Sequence, residues 1–266
     1  MALLEIRNVS VSYQQAGSWK EAVKEADLTI EAQKSYGLIG ESGSGKTSLM
    51  MAVLGLLDPN TSRVQGEIRF KGKSLLESNN LHAVRWKDLA VVFQNSMNAL
   101  SPVHRIKDQI YDIYRLHQGT VSKKQINERS MEIFDRLNLK SEVWRAYPHE
   151  LSGGMMQRVS IAFSLLFNPS LIIFDEATTA LDIITQNKIL HELKALNKVY
   201  QNSKIFVTHD LAVVKQACDY VYIMLKGRII EEGSVEKIFY HAEHPYTQKL
   251  VENFNQLRGV RAIVSQ

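Results

Sequence analysis

One octapeptide limits what this chain can become more than any other stretch: GESGSGKT, residues 40 to 47, places three glycines and two serines ahead of a lysine and a threonine. Glycine has the most conformational freedom to lose on folding, so a cluster of it marks backbone that another group must approach closely. Gly40, Gly43, Gly45, Lys46 and Thr47 fit the G-x-x-x-x-G-K-[ST] spacing, in which main-chain N–H groups wrap a chain of phosphates. The flanks agree with that reading: Tyr36 to Ile39 has the look of a short buried strand, and Ser48 to Leu57 carries Leu49, Val53 and Leu56 at helical spacing. A strand, a loop and a helix in that order deliver phosphate oxygens to the unpaired N–H donors and positive dipole end of the helix. Glu41, Ser42, Ser44 and Ser48 complete the candidate cradle. Lys46 is expected to reach the β and γ phosphates and the Thr47 hydroxyl to hold a Mg²⁺ ion.

The loop says nucleotide but not which reaction, since kinases, GTPases, motors and transport ATPases share it. Composition narrows the setting. With 266 residues, 45% of them hydrophobic, the chain is long enough for one large α/β domain or two small ones. No window approaches the roughly 18 unbroken apolar residues that cross a bilayer, and the start MALLEIRNVS lacks the basic and apolar regions of a signal peptide, so a cytoplasmic location is expected. A net charge of +4, mixed along the sequence, gives no basic patch, and no nucleic-acid partner is expected. The one cysteine, Cys218, excludes a disulfide or cysteine-cluster metal site within these residues and reads as a small buried hydrophobe.

Alternation in Leu4, Ile6, Val9, Val11 and Tyr13, in Leu28 and Ile30, and around GEIRFKG at 66 to 72 predicts antiparallel strands near the start. Residues 104 to 140 read as helices, with Ile106, Ile110, Ile113 and Leu116 on one face and Ile126, Ile133, Phe134 and Leu137 on another. LIIF at 171 to 174, IFVT at 205 to 208 and VYIML at 221 to 225 are apolar runs of the kind that fill the middle of a sheet, with a helical stretch around 183 to 199. No repeat, low-complexity tract or linker appears. The layout is a nucleotide-binding α/β core interrupted by a helical insert.

The strand 171 to 174 ends in Asp175 and Glu176, at the edge where parallel sheets hold their ligands. Asp175 is positioned to hold Mg²⁺, and Glu176 to polarise the water that attacks the γ phosphate. A second glycine pair lies in LSGGMMQR, residues 151 to 158, and has no lysine of its own. Apolar residues at 156, 159, 162, 163 and 166 make the following stretch a helix, so Ser152, Gly153 and Gly154 sit at its start.

LSGGMMQR resembles the signature motif of ABC-type ATPases, where the equivalent residues meet the γ phosphate held by a second copy of the domain. The other elements then fall in that family's order across nearly the whole chain. Gln94 in VVFQNSMN resembles the Q-loop glutamine, which also touches the metal or attacking water, and Ala180-Leu181-Asp182 the D-loop; His209 in VTHD resembles the switch histidine and Tyr13 the A-loop aromatic that stacks on adenine. The resemblance also sets Gln157 and Asp182 among the nucleotide-binding residues. It implies a P-loop NTPase core with a RecA-like mixed sheet, an N-terminal antiparallel β subdomain and an inserted α-helical subdomain. The expected boundaries are a core at 1–94 and 165–240, an insert at about 95–164 and a short extension at 241–266.

HDLAVVKQACDYVYIMLKGRIIEEG at 209 to 233, DEATTALDIITQNKIL at 175 to 190 and HPYTQKLV at 244 to 251 are similar to the oligopeptide, dipeptide and nickel importer ATPases. Departures are Met155 where glutamine is common, Ala177 where proline is frequent, and NSMNALSP where the branch reads closer to DPMTSLNP; the cysteine cluster that several members carry after the tail is not among these residues. The resemblance implies an ATP- and Mg²⁺-dependent ATPase at the cytoplasmic face of the membrane. Its implied partners are a second ABC ATPase subunit, related or identical, transmembrane permease subunits and, indirectly, an extracytoplasmic solute-binding protein. A subunit of the phosphonate-degrading complex shares the HPYT tail, so a soluble enzyme assembly is the alternative.

Overall fold

The computed structural model describes residues 2–15, 17–94, 100–119, 121–177 and 181–257. Its packing divides the chain into residues 1–81 with 205–266, and residues 82–204.

The first unit contains an antiparallel sheet ordered β2-β1-β4-β5, from β1 (Ala2–Gln15), β2 (Ser18–Glu31), β4 (Ser62–Phe70) and β5 (Lys73–Ser74). Leu4, Ile6, Val9 and Val11 are all buried, although the first two and last two differ in parity. The phase change is a bulge. Pairing with β2 and with β4 shifts between residues 6 and 10, and Asn8 takes a φ of 51°. An extra residue there returns the following apolar side chains to the core face.

A second sheet runs β10-β9-β3-β8, from β3 (Ser35–Ile39), β8 (Ser203–Thr208), β9 (Tyr220–Leu225) and β10 (Arg228–Ser234). β3 and β9 are parallel and β9 and β10 antiparallel, so the sheet is mixed. Ile39, Val221 and Ile223 join Leu211 and Val214 of α7 (Leu211–Ala217), Ile238 and Phe239 of α8 (Val235–Tyr240) and Val251 of α9 (Pro245–Leu257) in one core cluster. Helix α9 is therefore packed into this core, with Phe254 meeting Phe239 edge-on at 5.7 Å. Cys218 lies against the same cluster, and burial pushes its thiol well above the usual range.

In the second unit β6 (Leu89–Phe93) and β7 (Leu171–Asp175) pair in parallel, with Phe93 opposite Asp175. After the short α2 (Ser78–Val84) in the chain, the helices α3 (Ile106–Gln118), α4 (Lys123–Arg136), α5 (Gly153–Leu165) and α6 (Ile183–Tyr200) follow the expected order. Helix α3 corrects one expected face: it buries Ile106, Ile110 and Tyr114, whereas Leu116 is 76% exposed. Spacing of four keeps the first three residues in one row, and Tyr114 enters it because its hydroxyl reaches the Leu166 carbonyl at 3.2 Å; Leu116, two residues on, is carried to the far side. The helix after the glycine loop, α1 (Lys46–Leu54), is also shorter than its spacing suggests. Gly55 caps it in the left-handed region and leaves Leu56 exposed. The described residues contain no helix long and apolar enough to cross a membrane.

Candidate active site

The glycine loop starts where β3 ends. A Cβ on Gly40 would lie 2.1 Å from the Met224 carbonyl oxygen, and one on Gly45 would lie 2.5 Å from that of Ala22. Gly43 meets nothing, but its φ of +77° is costly for any other residue. The turn is closed by the Ser44 N–H donating to Glu41 O at 3.1 Å and the Gly227 N–H donating to Ser44 O at 2.9 Å. Lys46 is 4% exposed, and a buried ammonium requires acceptors. Its Nζ donates to the carbonyls of Gly40 and Glu41, both at 2.8 Å, and to Ser44 Oγ at 3.3 Å.

Helix α1 begins on this lysine with no side-chain cap and no acidic residue in its first turn. The positive end of its dipole is thus given no counter-charge by that turn, which suits an anion held in the loop. Glu41, Ser42 and Thr47 are exposed, and Ser48 is half-buried and accepts the Tyr13 hydroxyl at 3.0 Å. That bond ties the end of β1 to the first turn of α1. In the same unit His209 is exposed between Thr208, the last residue of β8, and Asp210, whose carboxylate caps α7 by accepting the Ala212 N–H at 2.7 Å.

In the second unit the register of β6 and β7 brings Gln94, Asp175 and Glu176 to one end of two neighbouring parallel strands. Asp175 is buried, Gln94 exposed and Glu176 half-buried with a φ of 48°. A glutamate in the left-handed region immediately after a buried strand is strained, and such strain gathers at functional turns. Ser152 caps α5, its hydroxyl oxygen accepting the Met155 N–H at 3.3 Å, while Gly153 and Gly154 open the helix. Asp182 caps α6: its carboxylate accepts the Thr185 N–H at 2.9 Å and the Thr185 hydroxyl at 2.7 Å, and these bonds hold its acid below the usual range. The two caps meet, since a Cβ on Gly154 would lie 2.9 Å from Thr185 Cγ2. Gln157 is 2% exposed, because five residues past the cap the helix has turned that position toward the interior. Residues 95–99, with most of NSMNALSP, and Ala180 of the D-loop lie outside the described residues.

Residues 23–179 match the family described as ABC transporter. The oligopeptide transport ATP-binding protein OppD of Haemophilus influenzae is 38% identical over 97% of this chain and 80% of its own length. This chain belongs to the ABC transporter family. The Bacillus subtilis protein of the same name is 37% identical, covering 97% of the chain and 73% of that protein, and a putative peptide import ATP-binding protein of Brucella abortus is 38% identical over 94% and 76%. Among solved ABC cassettes, a dimeric one in a post-hydrolysis state bound to ADP and Pi superposes with a TM-score of 0.76 at 26% identity, covering 87% of this chain and 98% of that one. The cbiO1 subunit from Clostridium perfringens shares the fold, with a TM-score of 0.77 over 97% of this chain.

Thr47 of the first unit offers a hydroxyl and Asp175 of the second a carboxylate, each a hard oxygen donor of the class that Mg²⁺ takes alongside water and substrate phosphates. No group of three or more potential His, Cys, Asp or Glu ligands occurs among the described residues, and an ion bound chiefly through phosphates needs none. One pair escaped the sequence reading. Arg158, the last residue of LSGGMMQR, donates from Nε and Nη2 to Glu192 at 2.9 and 3.1 Å. Arg158 stands outside the apolar stripe at 156, 159, 162, 163 and 166, and the sequence carries no signal that pairs it with Glu192.

Proposed function

We propose that this chain hydrolyses ATP to power import of a small solute, with peptides foremost, through a membrane permease. The observation that supports this most is the continuity of the relatives: proteins named for oligopeptide transport match nearly the entire chain, from the first strand to the last helix. The working unit is a pair of such domains. In each, Gly40 to Ser48 wrap the phosphates, Tyr13 packs on adenine, and Ser152, Gly153 and Gly154 of one copy complete the site of the other. The chain binds peripherally at the cytoplasmic face, with the insert at about 95–164 gripping the permease.

Lys46 neutralises the β and γ oxygens, and its carbonyl contacts are exchanged for phosphate when nucleotide arrives. Thr47 and Asp175 would hold Mg²⁺, which when bound neutralises charge on the β and γ oxygens. Glu176 takes a proton from the attacking water as the bond from that water to phosphorus forms and the bond to ADP breaks. His209 and Gln94 bond the γ phosphate and the water and register their loss after hydrolysis. Asp182 joins the pair at the capped start of α6.

Glu176→Gln is expected to leave nucleotide affinity within about twofold and lower turnover by about 10²–10⁴. Unchanged turnover would remove the catalytic base. The alternative of a soluble assembly such as phosphonate degradation is not favoured, since the relatives are named for transport. Affinity capture from detergent-solubilised membranes is expected to bring down permease subunits; a detergent-independent complex with soluble enzymes would overturn the transport reading.

A further inference from the structure

We infer that Arg158 and Glu192, backed by Asn138, form a positioning pair that sets the signature turn against the start of α6. The inference rests on the reading of Ser152 to Gly154 as the part of the site presented to a second copy. Arg158 lies in the second turn of α5, one turn past Gly154, and Glu192 lies midway along α6. The guanidinium meets the carboxylate as a fork, with Nε to Oε2 at 2.9 Å and Nη2 to Oε1 at 3.1 Å. Asn138, beyond the end of α4 with a φ of 51°, donates its side-chain N–H to the same Oε1 at 2.9 Å. The two charged side chains are 14% and 11% exposed, so water competes weakly.

Among the described residues this pair is a second attachment between the helices. The first is at their starts, where Gly154 leaves no room beside Thr185 and Thr185 is bonded twice to Asp182. One contact would allow α5 to pivot on α6. Two contacts, separated by one turn of α5 and about two turns of α6, fix its rotation and slide, and with them the direction in which the Ser152 hydroxyl and the Gly153 and Gly154 N–H groups point. A buried ion pair contributes little net stability over a well-packed apolar pair, but its fork geometry is directional, which suits register-setting. A cavity of about 450 Å³ lined by Asn138, Arg158, Lys188, His191 and Glu192 lies beside it, leaving space for exchanged side chains.

The test uses the purified full-length chain with Arg158→Lys, Glu192→Gln and the exchange Arg158→Glu with Glu192→Arg. Binding of a fluorescent ATP analogue is expected within about twofold of wild type in all of them, because the phosphate loop belongs to the other unit. ATP turnover is expected to fall about tenfold or more in each single variant, since losing a buried charge-assisted bond is worth a factor of that order. The exchange is expected to recover at least about a third of wild-type turnover. A pair that only stabilises the fold predicts something else: melting temperature and nucleotide affinity fall together, and Arg158→Lys, which keeps the charge, is nearly silent. That pattern, or Glu192→Gln at wild-type turnover, overturns the inference. A wild-type chain that binds but does not hydrolyse ATP refutes instead the functional reading on which the inference stands.

Discussion

Gly40 and Gly45 differ from Gly43 in what an added methyl group would meet, and that difference separates steric demand from conformational demand within one loop. At Gly40 and Gly45 the obstacle is backbone carbonyl oxygen, which cannot swing aside. Gly40→Ala and Gly45→Ala are therefore expected to lower ATP affinity by more than about tenfold in a fluorescent-nucleotide titration, as the loop reshapes by an ångström or more. Gly43→Ala meets open space and should cost only about 1 kcal/mol of left-handed strain, visible as a small drop in melting temperature. Lys46→Ala removes the charge that the carbonyls of Gly40 and Glu41 hold in place, and nucleotide affinity should fall steeply with the fold intact. Wild-type affinity in either steric variant, or in Lys46→Ala, would show that the loop does not hold the phosphates.

Two helix starts show how a few polar atoms govern an element. Glu231 of β10 accepts the N–H groups of Glu243 at 2.7 Å and His244 at 3.2 Å, ahead of α9. Burial works against its charge, but these N–H bonds prevail and hold its carboxyl below the usual range. A carboxyl lowered by folding stabilises the native state above its unfolded pKa, and the contribution is lost as pH falls through the folded value. Glu231→Gln should thus lose about 1–2 kcal/mol at neutral pH, with wild type and variant converging in chemical unfolding as pH falls through the lowered folded value. A constant gap across that range would contradict the assignment. Ser122 and Gln125 form a reciprocal capping box at α4, so Ser122→Ala should cost about 1 kcal/mol without changing ATP turnover.

Across the whole molecule, local chemistry was the legible part. The glycine loop, the strand ending in Asp175 and Glu176, and the serine-glycine helix start each read directly, because each pairs a periodic apolar pattern with residues that pattern does not need. The bulge at Asn8 is visible as a phase change in the apolar alternation of β1. Less was legible wherever a distant partner decides: Tyr114 displaces Leu116 from the buried face through a carbonyl 52 residues away, Gln157 turns inward, and Arg158 finds Glu192 across 34 residues. Spacing along one element carries no record of such partners. The central claim, that ATP is held between the glycine loop of one copy and the signature turn of another, is tested most directly by sedimentation of the Glu176→Gln chain with and without ATP. The account predicts a dimer only with ATP, reverting to monomer when Ser152→Arg is added while nucleotide affinity stays within about twofold. A Glu176→Gln chain that binds ATP tightly and still sediments as a monomer would contradict it.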